Sequence, residues 1–280
     1  MTHIPFHDFG GAASSATNEG QPIIHFAHPN GFPAACFHRF AHQLTHKYRV
    51  IGMNARPLWP GSDPAEFTNW KVLADDLIRF LDENKLSGVI GAGISLGAVT
   101  TMYAALKRPD LFSKLLLIEP VFLPKRIIWS SKLFPASMVE KRSPAGIAKK
   151  RRDQWPTRQE AFDQWRPKRA FKRYSDDTLW DYVNHALVEQ PDGSVKLAFP
   201  KEWEAKIFNS PPAVWNKIGR ITHPTLAIRG NRSNVLFEPQ WQRWQKLQPE
   251  ATFVEIDGAG HMIPLEDYEG LANHILTWLA

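Results

Sequence analysis

Three features of the sequence predict an α/β fold in which a mostly parallel central sheet is flanked by helices and interrupted by a mainly helical insert. Short apolar runs alternate with segments of helical periodicity from residue 21 to 120. The same alternation resumes at about residue 221. Between them, residues 121–220 carry six of the eleven tryptophans and no obvious buried strand, and prolines cut them into short helices. The predicted division is a core of residues 1–120 and 221–280 with a helical cap insert over 121–220. A structureless loop of that length does not fit inside a compact domain.

Near the start, FHDFGG reads as an edge strand, and Gly20 closes a small polar turn. Residues 21–28 form a buried strand that must stop at Pro29-Asn30-Gly31-Phe32-Pro33, and a helix over 34–46 and a strand over 48–56 follow. After a loop over 57–64, Phe67, Trp70, Leu73, Leu77, Phe80 and Leu81 recur at helical spacing and predict a helix over 66–83. Within it, Asp75 and Asp76 are expected to face water or cap a neighbouring element. A short apolar run before Ser95 is a strand, and the Ala- and Leu-bearing stretch after it is a helix to about Lys107, ended by Arg108-Pro109-Asp110. Lys114 to Ile118 make a strongly apolar strand whose carboxyl end presents Glu119.

In the insert, residues 177–189 are the clearest helix, and Trp129, Trp155, Trp165, Trp180, Trp203 and Trp215 are spread among prolines 124, 135, 144, 156 and 167. Beyond it, strands over 224–230 and 251–258 alternate with helices over 239–247 and 268–279. His261 follows the last strand after Ala259-Gly260. Polar groups thus stand after successive strand ends, where an open α/β sheet puts its active site.

Composition narrows the classes. A chain of 280 residues with 43% hydrophobic content can bury a large core and is not disordered. No run of about eighteen apolar residues exists, so no membrane span is expected. The first residues have neither the basic head nor the apolar core of a secretion signal, which makes a cytoplasmic location the expectation. Cys36 is the only cysteine, so intrachain disulfides and zinc sites built on several cysteines are excluded, and no cofactor or metal is expected. Residues 121–220 hold 20 Lys and Arg against 11 Asp and Glu, so the net charge of +6 belongs to the insert. That basicity reads as a solvated helical face, or as a field steering an anionic substrate. No nucleic-acid-binding module accompanies it, and no nucleic-acid partner is expected. A homodimer stays open.

The chemistry is concentrated at Gly93-Ile94-Ser95-Leu96-Gly97, a G-x-S-x-G sequence between a strand and a helix. A serine nucleophile must stand on a turn so tight that the two elements nearly touch, and the glycines remove the side chains that would collide. The helix behind Ser95 brings free N–H groups to the reacting oxygen, that of Leu96 first. Ser95 needs a neutral imidazole to take its proton, and His261, flanked by small residues beyond a strand end, suits that task.

With these motifs, the chain resembles the α/β-hydrolase superfamily from about Gln21 to the C-terminus, apart from the insert. The resemblance implies the α/β-hydrolase fold and a Ser-His-acid hydrolase of the carboxylesterase kind, acting on a small-molecule ester through an acyl-enzyme. HPNGFPA over 28–34 looks like the family's oxyanion loop in a longer form, which implies that the amide of Phe32 joins that of Leu96. GAGHMIP over 258–264 matches the family's catalytic-histidine segment and assigns that role to His261. Where the family often places its Asp, within Gly230 to Leu236, the best-matched position is Asn234, and an amide cannot offset an imidazolium charge. Glu119, leaving the strand after the elbow strand, is the expected substitute, with Asn234 the alternative triad position and Asp257 a turn former.

His28, Asn30, Arg56 and Trp59 are candidates for lining the pocket. His28 is expected to shape its loop rather than carry protons, and a rigid loop with Trp59 packed against the cap is the other reading of Arg56 and Trp59. The same triad also suits thioesterase, amidase, lactonase, carbon–carbon hydrolase or hydroxynitrile lyase chemistry. Without a replacement for the acid, a ligand-binding or scaffolding protein is the remaining reading.

Overall fold

Apolar runs that do not alternate belong in strands covered on both faces, and the runs on either side of Ser95 form the centre of the sheet. A computed structural model describes residues 3–11, 22–124 and 143–280; the turn at Gly20, Trp129 and Pro135 lie outside the described residues. In chain order the core opens with strands β1 (Phe6–Gly10), β2 (Ile23–Ala27), β3 (Arg49–Met53), β4 (Val89–Ile94) and β5 (Phe112–Ile118). The insert adds β6 (Gln154–Trp155), β7 (Leu187–Glu189) and β8 (Val195–Leu197), and the core resumes with β9 (Thr225–Gly230) and β10 (Thr252–Ile256). The seven-stranded sheet has the order β1-β3-β2-β4-β5-β9-β10. Only β1 runs antiparallel to its neighbour.

Helices α1 (His38–Leu44), α2 (Lys71–Glu83) and α3 (Leu96–Lys107) belong to the first half of the core. The insert carries α4 (Pro144–Lys150), α5 (Arg158–Trp165), α6 (Asp176–Ala186) and α7 (Lys201–Phe208). The second half has α8 (Glu238–Leu247), the short α9 (Ile263–Glu266) and α10 (Tyr268–Leu279). The strands feed both faces alternately. Leu116 and Ile118 of β5 join Phe37, Phe40, Leu44, Leu271 and Ile275 on one side, while Leu115 and Leu117 join Leu77, Phe80, Met102 and Trp244 on the other. Each such buried side chain stabilises the fold by about 1.5–3 kcal/mol, and together they fix the strand ends that carry the site. No helix among the described residues is long and apolar enough to cross a membrane.

The elements depart from expectation at their ends. The 34–46 helix is a 3-10 turn, Ala34–Phe37, followed by α1. The 66–83 helix begins only at Lys71, because Pro64 opens a separate 3-10 turn and the Asn69 side chain caps the Lys71 N–H at 2.9 Å. The helix foreseen over 177–189 stops at Ala186, and Leu187–Glu189 pairs with β8 in an antiparallel sheet of three strands. Strands of two or three residues fall below what hydrophobic periodicity resolves. Asp75 is exposed and paired with Lys107, but Asp76 is buried and takes Arg56 in a two-pronged ion pair, with distances of 2.6 and 2.9 Å.

The insert docks on the core through specific contacts. Arg39 of α1 pairs with Asp181 of α6. The Trp70 indole N–H donates to the Ile207 carbonyl at 2.8 Å. The rings of Phe32 and Tyr182 meet with centroids 4.7 Å apart.

Candidate active site

β4 ends at Ile94 and α3 begins at Leu96, so the chain reverses at Ser95 alone. Ser95 has φ 57° and ψ −116°, a conformation that costs an L-residue on the order of 1–3 kcal/mol and persists only where its surroundings impose it. Its N–H donates to the Ile118 carbonyl at 3.0 Å. A Cβ on Gly97 would stand 2.0 Å from the Ala27 carbonyl oxygen, and one on Gly93 2.5 Å from the Gly97 carbonyl carbon. Those contacts are the physical content of the G-x-S-x-G spacing.

The loop after β10 delivers His261 to the serine. Its Nε2 lies 3.0 Å from Ser95 Oγ, and its Nδ1 lies 3.0 Å from Glu119 Oε2. An ionised carboxylate only accepts, so Nδ1–H donates to Glu119 and the Nε2 lone pair is left for the serine proton. Glu119 is fully buried. Its Oε1 accepts the Gly230 N–H at 2.7 Å and its Oε2 accepts the Ser233 hydroxyl at 2.6 Å. Its backbone is left-handed, φ 48°, and its N–H is tied to the Ile228 carbonyl at 2.8 Å. Four strand ends thus converge: β4 brings Ser95, β5 brings Glu119, β9 brings the two donors that hold Glu119, and β10 brings His261.

Asn234 is exposed and forms no hydrogen bond with the imidazole among the described residues; its neighbour Ser233 is the one turned toward Glu119. Asp257 is taken up by the Asn231 side chain. Two positioning groups escaped the sequence reading. Ser233 carried no signal beyond its place in a polar turn. Glu266 accepts the N–H groups of Gly260 at 2.6 Å and Met262 at 3.2 Å, and so braces the loop around His261; nothing in its spacing marks it.

The residues named as pocket-lining candidates have partners of their own. Arg56 is spent on Asp76, and the Trp59 ring lies beside the guanidinium groups of Arg56 and Arg79, 5.2 and 5.1 Å from its centroid. Trp59 thus lies beside core helix α2, while the loop meets the cap at Ser62, whose carbonyl accepts the Trp203 indole N–H at 3.5 Å. Asn30 donates through Nδ2 to the Glu204 carbonyl at 3.0 Å. Phe32 is half-buried against Tyr182 and Phe37, and Leu96 is buried at the first position of α3. His28 is buried with Nδ1–H donating to the Pro29 carbonyl at 2.9 Å and Nε2 accepting the Ala55 N–H at 2.9 Å. It shapes the loop and presents no free nitrogen.

That tautomer has a pH consequence. A proton on His28 Nε2 would face the Ala55 N–H head-on, and burial lowers its pKa from 6.5 to about 4, while burial and then the nearby His28 lower that of His25 to about 3. Between those values and 6.5 the unfolded chain binds more protons than the folded one, so the stabilisation is full above pH 6.5 and is lost as pH falls toward 4. His28 alone accounts for about 3 kcal/mol. The urea midpoint is expected to drop between pH 7 and pH 5, and His28→Gln should flatten that drop; a midpoint equally pH-dependent in the variant would contradict the assignment.

A serine on a strained elbow, relayed through a histidine to a buried acid at the carboxyl ends of a parallel sheet, defines the class as serine-hydrolase-type α/β proteins. The chain belongs to the alpha/beta hydrolase family, whose profile matches residues 26–274. Among solved structures it is similar to E-2-(acetamidomethylene)succinate hydrolase, with a TM-score of 0.78, 17% identity, and coverage of 98% of this chain and 94% of that one. A thermophilic esterase from Thermogutta terrifontis aligns with a TM-score of 0.69 and 19% identity over 98% of this chain and 92% of that one. In sequence, the chain is 26% identical over 221 residues to ethanol acetyltransferase 1 of Hanseniaspora uvarum, covering 75% of this chain and 65% of that protein. It is 34% identical over 110 residues to strigolactone esterase RMS3 of Pisum sativum, covering 37% of this chain and 41% of that protein. The chain therefore spans less than two thirds of the length of these two sequence relatives.

Proposed function

We propose that this protein is a serine hydrolase of small esters and lactones that works through an acyl-enzyme, with a core of 1–120 and 221–280 and a cap over 121–220 shaping the pocket. The observation that carries the reading is the unbroken line from Ser95 Oγ through His261 to Glu119, with 3.0 Å at each step. Ser95 Oγ attacks the carbonyl carbon while His261 Nε2 takes its proton. The tetrahedral oxyanion is stabilised by the N–H groups of Leu96 and Phe32. His261 then returns the proton to the leaving alkoxide, the C–O bond breaks, and water repeats the sequence to free the acid and Ser95. Glu119 holds the imidazole and offsets its charge.

Carboxylic esters are the narrower reading, and thioesters are open to the same steps. The similarity to strigolactone esterase RMS3 supports ester chemistry. The binding-only alternative required an acid-free histidine, and the Glu119 contact counts against it. A panel of p-nitrophenyl acetate and butyrate, an acyl thioester and a small lactone should show turnover, with a serine-reactive phosphonate labelling Ser95 one to one. Absence of both labelling and turnover would sink the reading. A second reading, acyl transfer to an alcohol, is favoured by the similarity to ethanol acetyltransferase 1; in an acetyl ester assay with added ethanol, it requires ethyl acetate to form at the expense of acetate.

A further inference from the structure

The loop that carries Phe32 touches the cap at a buried ion pair. Glu204 of α7 is 9% exposed. A Cβ on Gly31, where φ is 82°, would stand 3.0 Å from Glu204 Oε1, so the carboxylate fills the space beside the loop backbone. Glu204 Oε2 lies 2.8 Å from Arg151 Nη2, which comes from the residue after α4. The Glu204 carbonyl receives the Asn30 amide, and the Tyr182 ring lies against Phe32. The Arg151 charge also acts on the buried Tyr182 phenol, pulling down a pKa that burial raises. Successive residues Asn30, Gly31 and Phe32 are each in contact with one member of this group.

A buried ion pair is an expensive way to hold two helices together. Taking the Glu204 carboxylate and much of the Arg151 side chain, which stays 26% exposed, out of water costs free energy, and apolar residues of similar volume often serve stability as well or better. Burial pushes the Glu204 carboxyl up and Arg151 pulls it down, so the pair is retained against its own desolvation. What it provides is placement: the ion pair with Arg151 holds the Glu204 carboxylate against the loop backbone at Gly31.

We propose that Arg151 and Glu204 are positioning residues that set the oxyanion loop, and with it the Phe32 N–H, relative to Ser95. The inference rests on the acyl-enzyme reading above. Oxyanion donors act on charge that exists only as the reaction proceeds, so a displaced loop lowers kcat and leaves KM nearly unchanged.

The test separates positioning from stability. Glu204→Gln leaves Arg151 without its counter-charge and should lower both Tm and kcat. The double variant Arg151→Met with Glu204→Met removes both charges and should recover the wild-type Tm within a few degrees or exceed it. Its kcat should nevertheless stay about 10- to 100-fold down, below the loss expected for deleting a donor outright, with KM within about twofold. A trifluoromethyl ketone, which forms a tetrahedral adduct on the serine, should lose affinity in proportion to kcat. A folded double variant with wild-type kcat overturns the proposal, as does one whose loss lies in KM alone. If the double variant does not fold, Glu204→Asp decides, since its shorter arm retracts from Gly31: kcat lowered at unchanged KM supports the proposal, and kcat unchanged overturns it. Phosphonate labelling of wild-type Ser95 tests the parent reading separately. If it fails, both ideas fall; if it succeeds while the double variant keeps wild-type kcat, only the positioning role is lost.

Discussion

Ser95→Ala is expected to abolish phosphonate labelling and to lower turnover by about six orders of magnitude, since removal of a triad nucleophile costs on that scale. The fold should survive. Ser95 is 8% exposed, its hydroxyl is bonded to His261 Nε2, and the contacts that impose its backbone come from its N–H on Ile118 and from the approach of Gly97 to Ala27. An alanine keeps those contacts and keeps the strain at φ 57°. Ser95→Gly removes the same hydroxyl together with the Cβ responsible for the strain, so it should melt higher than Ser95→Ala while being equally inactive. Paired thermal melts and single-turnover assays read both effects. Persistent turnover in either variant, at the same site, would place the nucleophile elsewhere.

Glu119→Gln is expected to cut kcat by about three to four orders of magnitude, the scale of the corresponding acid-to-amide exchange in serine proteases. The carboxylate accepts from Gly230 N–H, Ser233 O–H and His261 Nδ1–H at once. A glutamine must turn its NH2 toward one of these donors. If it faces His261, the ring is driven to the tautomer whose Nε2 carries hydrogen and cannot accept from Ser95; if it faces Gly230, a buried donor there is left unpaired, at about 1–3 kcal/mol. In both cases the negative charge that balances the imidazolium is gone. Asn234→Ala should change kcat by no more than about twofold, because that side chain is exposed and, among the described residues, makes no hydrogen bond to the ring. Adding Asn234→Asp to Glu119→Gln should restore nothing, for the same reason. Steady-state rates across pH check these outcomes, and a Glu119→Gln enzyme with unchanged kinetics would require a new account of how His261 is held.

The elbow was legible because its requirement is local: five residues between an apolar run and a helix specify where the chain must turn and which side chains must be absent. His261 was legible for a similar reason, as a polar residue among small ones just past a strand. The acid was harder. Position 234 matches the family pattern and holds an amide, and the choice of Glu119 rested on its place after the next strand, on the family resemblance and on its longer arm; in the structure β5 lies between β4 and β9. The Arg56–Asp76 pair was not legible, because the partners stand twenty residues apart and Asp76, like Asp75, was expected to face water or cap a neighbouring element.

By itself, the sequence determined the α/β alternation, the tight turn at Ser95, the interruption by a Trp-rich basic segment, and the residue types available for acyl chemistry. These follow from periodicity and steric rules that act within a few residues of chain. Only the tertiary structure decided which carboxylate faces His261, that Ser233 and Gly230 hold it, that Glu266 braces the histidine loop, and that a buried Arg151–Glu204 pair abuts the loop of Phe32. Each of those contacts joins residues from different elements. Their free energy depends on distance and burial that exist only once the strands are ordered side by side, and no spacing along the chain encodes it.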